Sequence, residues 1–301
     1  MAGKTAAKIT SLLALQCLWP ALAMAEGANP ARIATDGIVK GYAKEWQLGM
    51  QKGVTPVQEG IKNLHDNELL TICIVISVFV LALLIYVCIR FSEKRNPVPS
   101  RVTHNTLVEV IWTTVPIMIL IGIAIPSLRL HHLMYTLEKP EMTLKVTGYQ
   151  WYWGYEYPDV EGVAFESRLV PDAEIDKSKG QIRLLSVDHP VVVPVDTTVR
   201  VNITGNDVIH SWSVPAFGVK TDAVPGRLNQ AWFRISEPGI YYGQCSELCG
   251  VYHGFMPIEI RAVEKEVYKQ WIERAKGGDY ALDGISIPRA PMLADLRQTT
   301  Q

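Results

Sequence analysis

Leu69 to Ile89 is a run of 21 residues without a single charge, and no other feature limits the fold as much. A helix needs about 20 apolar residues to cross a hydrocarbon core, so the run predicts a membrane span. Asp66 or Asn67 stands where it can cap the start, and Glu68 falls in the first turn, where the helix dipole favours an acid. Val110 to Leu128 is a second uncharged run, of 19 residues. It contains Pro116 and Pro126, which a membrane helix tolerates when its neighbours satisfy the freed carbonyls. Together the runs predict a transmembrane helix hairpin over residues 66–130, with spans near 69–90 and 108–129.

The connecting stretch RFSEKRNPVPSR carries Arg90, Lys94, Arg95 and Arg101 against one acid, Glu93. The positive-inside rule therefore puts the loop 91–106 in the cytoplasm and both flanking segments outside. The N-terminus agrees. Lys4 and Lys8 precede the apolar stretch Ile9 to Leu22 and then Ala23-Met24-Ala25, the pattern of a cleaved export signal. Residues 1–25 are thus expected to be a signal peptide and 26–65 a periplasmic N-terminal segment. The expected setting is a bacterial inner membrane crossed more than once, with lipid as a neighbour. A formal net charge of −1 gives no electrostatic footprint for nucleic acid.

From Met142 the pattern changes to period two. MTLKVTGYQWYWGYEY, VAFESRLV, QIRLLSVDHPVVV, TTVRVNIT, QAWFRIS, GIYYGQ and PIEIRAV are rich in Val, Ile, Tyr and Trp, with Pro, Gly, Asp and Asn between them. This predicts a small antiparallel sandwich or barrel over residues 138–262. Residues 264–277, EKEVYKQWIERAKG, read as an amphipathic helix, so 263–301 is expected to be a C-terminal helix and an extended tail.

One loop of this domain is unusual. GQCSELCGVYHGFMPIEI, residues 243–260, gathers Cys245, Cys249, His253 and Met256 between two strands, and His210 lies in the distant DVIHSWSVP. Loops at one end of a sandwich are neighbours, so these side chains can converge. Cys17, Cys73 and Cys88 are scattered, which excludes a disulfide framework. Three readings stand. A Cys245–Cys249 disulfide suits an oxidising compartment but gives His253 and Met256 no role. A structural zinc site has acceptable ligands, yet zinc gains little from a thioether. Copper suits the set best, because thiolates, imidazoles and a weak axial methionine are ligands of copper electron-transfer sites. A mononuclear site needs one cysteine, whereas two thiolates that each bridge two copper ions use both. Each copper then takes one histidine, with Met256 axial to one and the Glu247 carbonyl to the other.

CSELCGVYHGFM, together with HSWSVPAFGVKTDAVPGRLNQ, closely resembles the copper A domain of cytochrome c oxidase subunit II. The resemblance extends to the two-helix anchor, covering roughly residues 46–275. It implies a membrane-anchored all-β fold, a transmembrane hairpin followed by a cupredoxin-like β-sandwich. By the same resemblance the ligands of a dinuclear copper centre are His210, Cys245, Cys249, His253, Met256 and the carbonyl of Glu247. The Glu247 side chain also reaches a magnesium ion shared with subunit I, and Asp222 lines that boundary. Trp151 matches the tryptophan that takes the electron from the donor, and Glu109 matches a glutamate at the mouth of a proton-uptake pathway. The residues alone would allow plain strand packing for Trp151 and a helix-end carboxylate for Glu109. Glu156, Asp159, Glu161, Asp188 and Asp207 are read as acids that steer a lysine-rich cytochrome c. Asn206 stands where many relatives carry a further acid.

The resemblance thus implies the electron-accepting subunit of a terminal oxidase. Electrons from cytochrome c would pass to haem in subunit I, where oxygen is reduced to water with proton translocation, and subunit III would be a further partner. The chain contains no C-x-x-C-H, so haem is expected only in the partner. A quinol oxidase subunit would lack the ligands present here, and a copper-delivery protein would leave the anchor and aromatic run unexplained. Nitrous oxide reductase carries a similar copper domain but is soluble and larger. A zinc-holding assembly subunit is the remaining alternative.

Overall fold

The computed structural model describes residues 38–136, 139–176 and 180–282. The expected signal peptide and the tail from 283 lie outside the described residues. Helix α1 (Pro56–Asn63) starts at Thr55, whose hydroxyl accepts from the Gln58 N–H at 3.1 Å, with proline in the first turn. A π-helical turn, Leu64–Leu69, carries it into α2 (Leu70–Arg90), making one helical stretch of 35 residues. Helix α3 (Thr106–Tyr135) has 30 residues and holds both Pro116 and Pro126 inside it. No side chain of α2 or α3 is buried within the chain, as befits surfaces meant for lipid or a membrane partner.

Both helical stretches outrun the apolar segments that predicted them. At 1.5 Å per residue they reach about 45–53 Å, against about 30 Å for the hydrocarbon core. The surplus, α1 and the polar π turn on one side and Arg129 to Tyr135 on the other, forms a stalk. The stalk meets the β domain directly. Val54 N–H donates to the Ala216 carbonyl at 3.2 Å, the Thr55 hydroxyl to the Phe217 carbonyl at 2.7 Å, and Ser236 N–H to the Val54 carbonyl at 3.0 Å. Gly218 permits this approach. Its φ is +69°, and a Cβ there would lie 2.9 Å from Ile61 Cδ1 and 3.0 Å from Gln58 N.

The β domain is the expected two-sheet, cupredoxin-like sandwich. One sheet has the order β5 (Val191–Pro194), β11 (Pro257–Val263), β10 (Gly239–Cys245), β7 (His210–Val214), β8 (Val219–Ala223), and β1 (Val39–Gly41) joins β10. The other has the order β4 (Ala164–Ser167), β3 (Tyr152–Glu156), β2 (Met142–Tyr149), β6 (Val199–Gly205), β9 (Asn229–Phe233). Strand β2 shows why the sequence folds this way. Met142, Leu144 and Val146 alternate inward while Thr143, Lys145 and Thr147 face outward. Trp153, Trp212, Leu144 and Ile203 are fully buried between the sheets, each contributing roughly 1.5–3 kcal/mol. The amphipathic helix α4 (Lys265–Ala275) closes one side with Trp271, Ile272 and Ala275.

Two details differ from the sequence reading. Both sheets are mixed, because β2–β6, β11–β5 and β1–β10 pair in parallel. The chain leaves β2 through β3 and β4, visits the other sheet as β5, and returns as β6 in the original direction. The long strand expected from QIRLLSVDHPVVV is also shortened to Val191–Pro194. Ser186 Oγ takes the Ile182 N–H at 2.9 Å and Leu184 turns to φ +64°, so side-chain bonding replaces the ladder.

Candidate metal centre

The antiparallel pairing of β7 with β10 sets Cys245 opposite Trp212, which brings His210 and the cysteine loop to the same end of the sheet. The loop is closed at its base, where Cys245 N–H reaches the Met256 carbonyl at 3.3 Å and Ser246 N–H the Ser211 carbonyl at 3.0 Å. Inside it, Cys245 Sγ lies 3.9 Å from Cys249 Sγ. Cys249 Sγ is 3.5 Å from His253 Nδ1 and 3.5 Å from Met256 Sδ. The Glu247 carbonyl is 3.4 Å from Cys245 Sγ. The ligand atoms of His210, Cys245 and Cys249 lie within 4.8 Å of one another. All five side chains proposed from the sequence therefore meet. His210, Cys245, Cys249 and Met256 are buried, and His253 is half-buried.

His210 is held from behind. Its Nε2 sits 2.8 Å from Asp207 Oδ1, while its Nδ1 is buried without a hydrogen-bond partner. The network assigns the proton to Nε2, leaving an Nδ1 lone pair inside the site. The ring lies on Gly148, where a Cβ would come within 2.7 Å of His210 Cδ2, so an isolated strand glycine marks a close approach. Burial alone would raise the Cys245 thiol, but His210, the Glu247 and Ser211 backbones and His253 bring it down to about 7. Burial and then the neighbouring Cys245 push the Cys249 thiol up to about 12. The pair thus accepts one negative charge readily and resists a second unless a cation comes with it.

The aromatic hairpin β2–β3 covers the loop. Trp151 Nε1–H donates to the Cys249 carbonyl at 3.2 Å, and the Gln150 amide donates to the same oxygen at 2.8 Å. Trp151 is partly exposed and meets Tyr252 edge to face, with ring centres 5.1 Å apart. Trp153 Nε1–H donates to the Met256 carbonyl at 3.3 Å. Gln150 and Trp153 were not legible as site residues in the sequence. Their only signal was their place in an aromatic run beside a glycine.

The structure does not bring the remaining candidates together at this centre: Asp207 adjoins it, while Asp159 lies at the far end of β2 and Glu109 in the first turn of α3. Asp207, although exposed, is turned towards the site, since its carboxylate also accepts from Gln150 N–H and Val208 N–H, both at 2.7 Å. Asp159 accepts from Thr143 N–H, Asp188 from Arg168 N–H and His189 N–H, and Glu156 pairs with Lys145 at 2.9 Å. Glu161 is exposed, as are the side chains of Glu247 and Asp222. Glu109 reaches back to the Asn105 N–H at 3.1 Å while Asn105 caps Val108 at 3.2 Å, a reciprocal helix cap far from the cluster in sequence.

A transmembrane hairpin bearing a cupredoxin-like sandwich, with thiols, imidazoles and a thioether gathered at one end, defines a class of membrane-anchored metal-binding domain. The comparisons make this specific. Residues 43–130 match the transmembrane domain of cytochrome c oxidase subunit II, and residues 142–263 match its periplasmic domain. The chain is 48% identical over 227 residues to a probable cytochrome c oxidase subunit 2 of Rickettsia bellii, covering 75% of this chain and 83% of that one. It is 48% identical over 259 residues to cytochrome c oxidase subunit 2 of Cereibacter sphaeroides, covering 81% and 84%. The crystal structure of the periplasmic domain of subunit II of cytochrome oxidase from Bradyrhizobium japonicum is 49% identical; the match covers 48% of this chain and 100% of that one, with a TM-score of 0.44. The chain belongs to the cytochrome c oxidase subunit II family.

Proposed function

We propose that the chain accepts electrons singly from a cytochrome c and passes them to haem in subunit I, for reduction of oxygen to water coupled to proton translocation. The observation that carries this is the convergence of His210, Cys245, Cys249, His253 and Met256 beneath a tryptophan bonded to the Cys249 carbonyl. The residues fit copper. A buried, unpartnered His210 Nδ1 beside two separate thiols is costly without a ligand to fill it. Zinc with four ligands would leave the buried Met256 sulfur idle.

A copper pair bound there would supply a one-electron redox centre. Cys245, Cys249, His210, His253, Met256 and the Glu247 carbonyl would hold it, and burial of His210, Cys245, Cys249 and Met256 limits access of water. Trp151 offers the external face of this path, with its ring partly exposed and its N–H on the ligand backbone. Asp207 stands at the metal end, bonded to His210 and to Gln150 N–H, whereas Asp159 holds Thr143 N–H at the far end of β2. Glu156, Glu161 and Asp188 are exposed charges suited to attracting a basic donor from a distance. The exposed carboxylates of Glu247 and Asp222 remain available for a magnesium ion shared with subunit I. Glu109 is assigned to proton uptake; proton-limited turnover in a Glu109→Gln oxidase should fall, and unchanged turnover would remove that role.

The test of the main reading is copper loading of the reduced full-length chain in detergent, followed by metal analysis and EPR. Two coppers per chain sharing one unpaired electron is the expected result. Uptake of a single copper, or of zinc alone, would refute it.

A further inference from the structure

Trp232 lies on β9, in the sandwich, yet its polar atom is spent on the membrane anchor. Its Nε1–H points at the Leu133 carbonyl at 3.2 Å and the Met134 carbonyl at 3.1 Å. Both carbonyls belong to the last turn of α3, which ends at Tyr135, and carbonyls there lack intrahelical partners. Trp232 is 8% exposed, so a small shift of the sandwich along the helix end would break this bond without admitting water to replace it. Around it, Val57 of α1, Met134 and Tyr135 of α3, and Lys220 of β8 close to a crevice of only about 40 Å³. The joint is tight.

The second attachment is the strap before α1, bonded to Ala216 and Phe217 as described above. Gly60 ties α1 to α3, since a Cβ there would meet Leu130 Cδ1 at 2.8 Å. One attachment alone would leave the sandwich free to pivot on the stalk, and the second removes that rotation. Strand β7 transmits the result. Its last residue precedes the turn bonded to the strap, and its first residue is His210.

We infer that Trp232 is a positioning residue: it locks the sandwich to the end of α3 and thereby fixes where the metal cluster stands above the membrane partner. This rests on the electron-transfer reading for its consequence but not for its geometry. An apolar ring of similar size would fill the same space without the lock, which makes Trp232→Phe the informative change. Trp232→His returns an aromatic N–H.

The first readout needs no metal. Nitroxides introduced at exposed Glu161 and Val98 of the full chain in a bilayer report the distance between the sandwich and the cytoplasmic loop. A narrow distribution is expected for the native chain, a broadened one for Trp232→Phe, and substantial narrowing again for Trp232→His. The second readout uses the assembled oxidase. In Trp232→Phe, copper content, EPR and the KM for cytochrome c should be unchanged, while transfer from the cluster to haem slows about five- to tenfold and becomes multiphasic, the shift one lost hydrogen-bonding group produces. An unchanged distance distribution overturns the lock. A broadened distribution with native transfer overturns its functional role, and so does loss of copper from the Phe variant, which would place Trp232 in the folding of the sandwich. Absence of copper from the native oxidase is a separate failure, that of the electron-transfer reading, and leaves the metal-free distance result standing.

Discussion

The two ends of β7 lie roughly 13 Å apart along the strand and are finished differently. At its C-terminal end, the turn Pro215–Phe217 gives its Ala216 and Phe217 carbonyls to Val54 and Thr55. Gly218 then removes the side chain that would hold the stalk away. At its N-terminal end, His210 keeps one nitrogen buried and unpartnered beside the thiols of Cys245 and Cys249. The first end is completed by the chain itself and behaves as a joint. The second gathers a buried, unpartnered nitrogen with soft donors, the pattern of a ligand site and not of a packing contact.

Substitutions at the two ends should therefore fail in different ways. The largest effect belongs to the metal end. Cys249→Ser should abolish the shared-electron EPR signal and cut copper uptake to at most one per chain, with the thermal unfolding of the metal-free chain little changed. A parallel collapse of folding would mean that the loop is a structural clip. At the joint, Gly218→Val forces a branched side chain into φ +69° and against Gln58 and Ile61. A loss of roughly 2–3 kcal/mol in unfolding measurements is expected, with metal binding retained once folded. An unchanged unfolding midpoint would show that the stalk gives way there.

Asp207→Asn tests the group standing behind the metal end. Its carboxylate orients His210, so copper affinity in chelator competition should fall about 10–100-fold. If affinity is intact and only low-salt association with cytochrome c slows, Asp207 acts in docking alone. The smallest effect concerns Glu237, which holds the strap through Lys52 at 2.6 Å and Lys40 at 3.0 Å. Its carboxyl is depressed chiefly by the Lys52 bond, against burial. A depressed folded-state value means that this stabilisation is present above the ordinary carboxylate range and is lost as pH falls through the folded value. Hydrogen-exchange protection of the Ile240 amide, which bonds the Ile38 carbonyl at 2.9 Å, measured against the intrinsic rate at each pH, should fall on acidification in the native chain and be low already in Glu237→Gln. Equal protection in both would remove the clamp.

The same contrast decides what could be read without a structure. The cysteine loop was legible because its donors repeat within a few residues of one another, and β2 because burial alternates with the pleat. The apolar runs revealed the spans but not their extensions, since α1 is made of PVQEGIKN and gains its place from contacts with residues some 160 positions away. Asp207 read as a surface acid for a similar reason. Its place three residues before His210 was a local signal that Glu161 lacks, but the turn that closes the 2.8 Å contact with the His210 ring emerges only in the fold. Ser186 was likewise hidden, because a hydroxyl that captures a backbone N–H looks, in sequence, like one more polar residue in a strand.

The central claim is that electrons enter this chain beside Cys249 by way of Trp151. Stopped-flow mixing of reduced cytochrome c with the assembled oxidase carrying Trp151→Phe tests it most directly. The variant keeps an aromatic ring but loses the 3.2 Å bond to the Cys249 carbonyl. With copper content and EPR intact, reduction of the oxidase should slow by at least about tenfold, equivalent to a barrier increase of about 1.4 kcal/mol. A native rate under those conditions would contradict the claim and move electron uptake to another face of the sandwich.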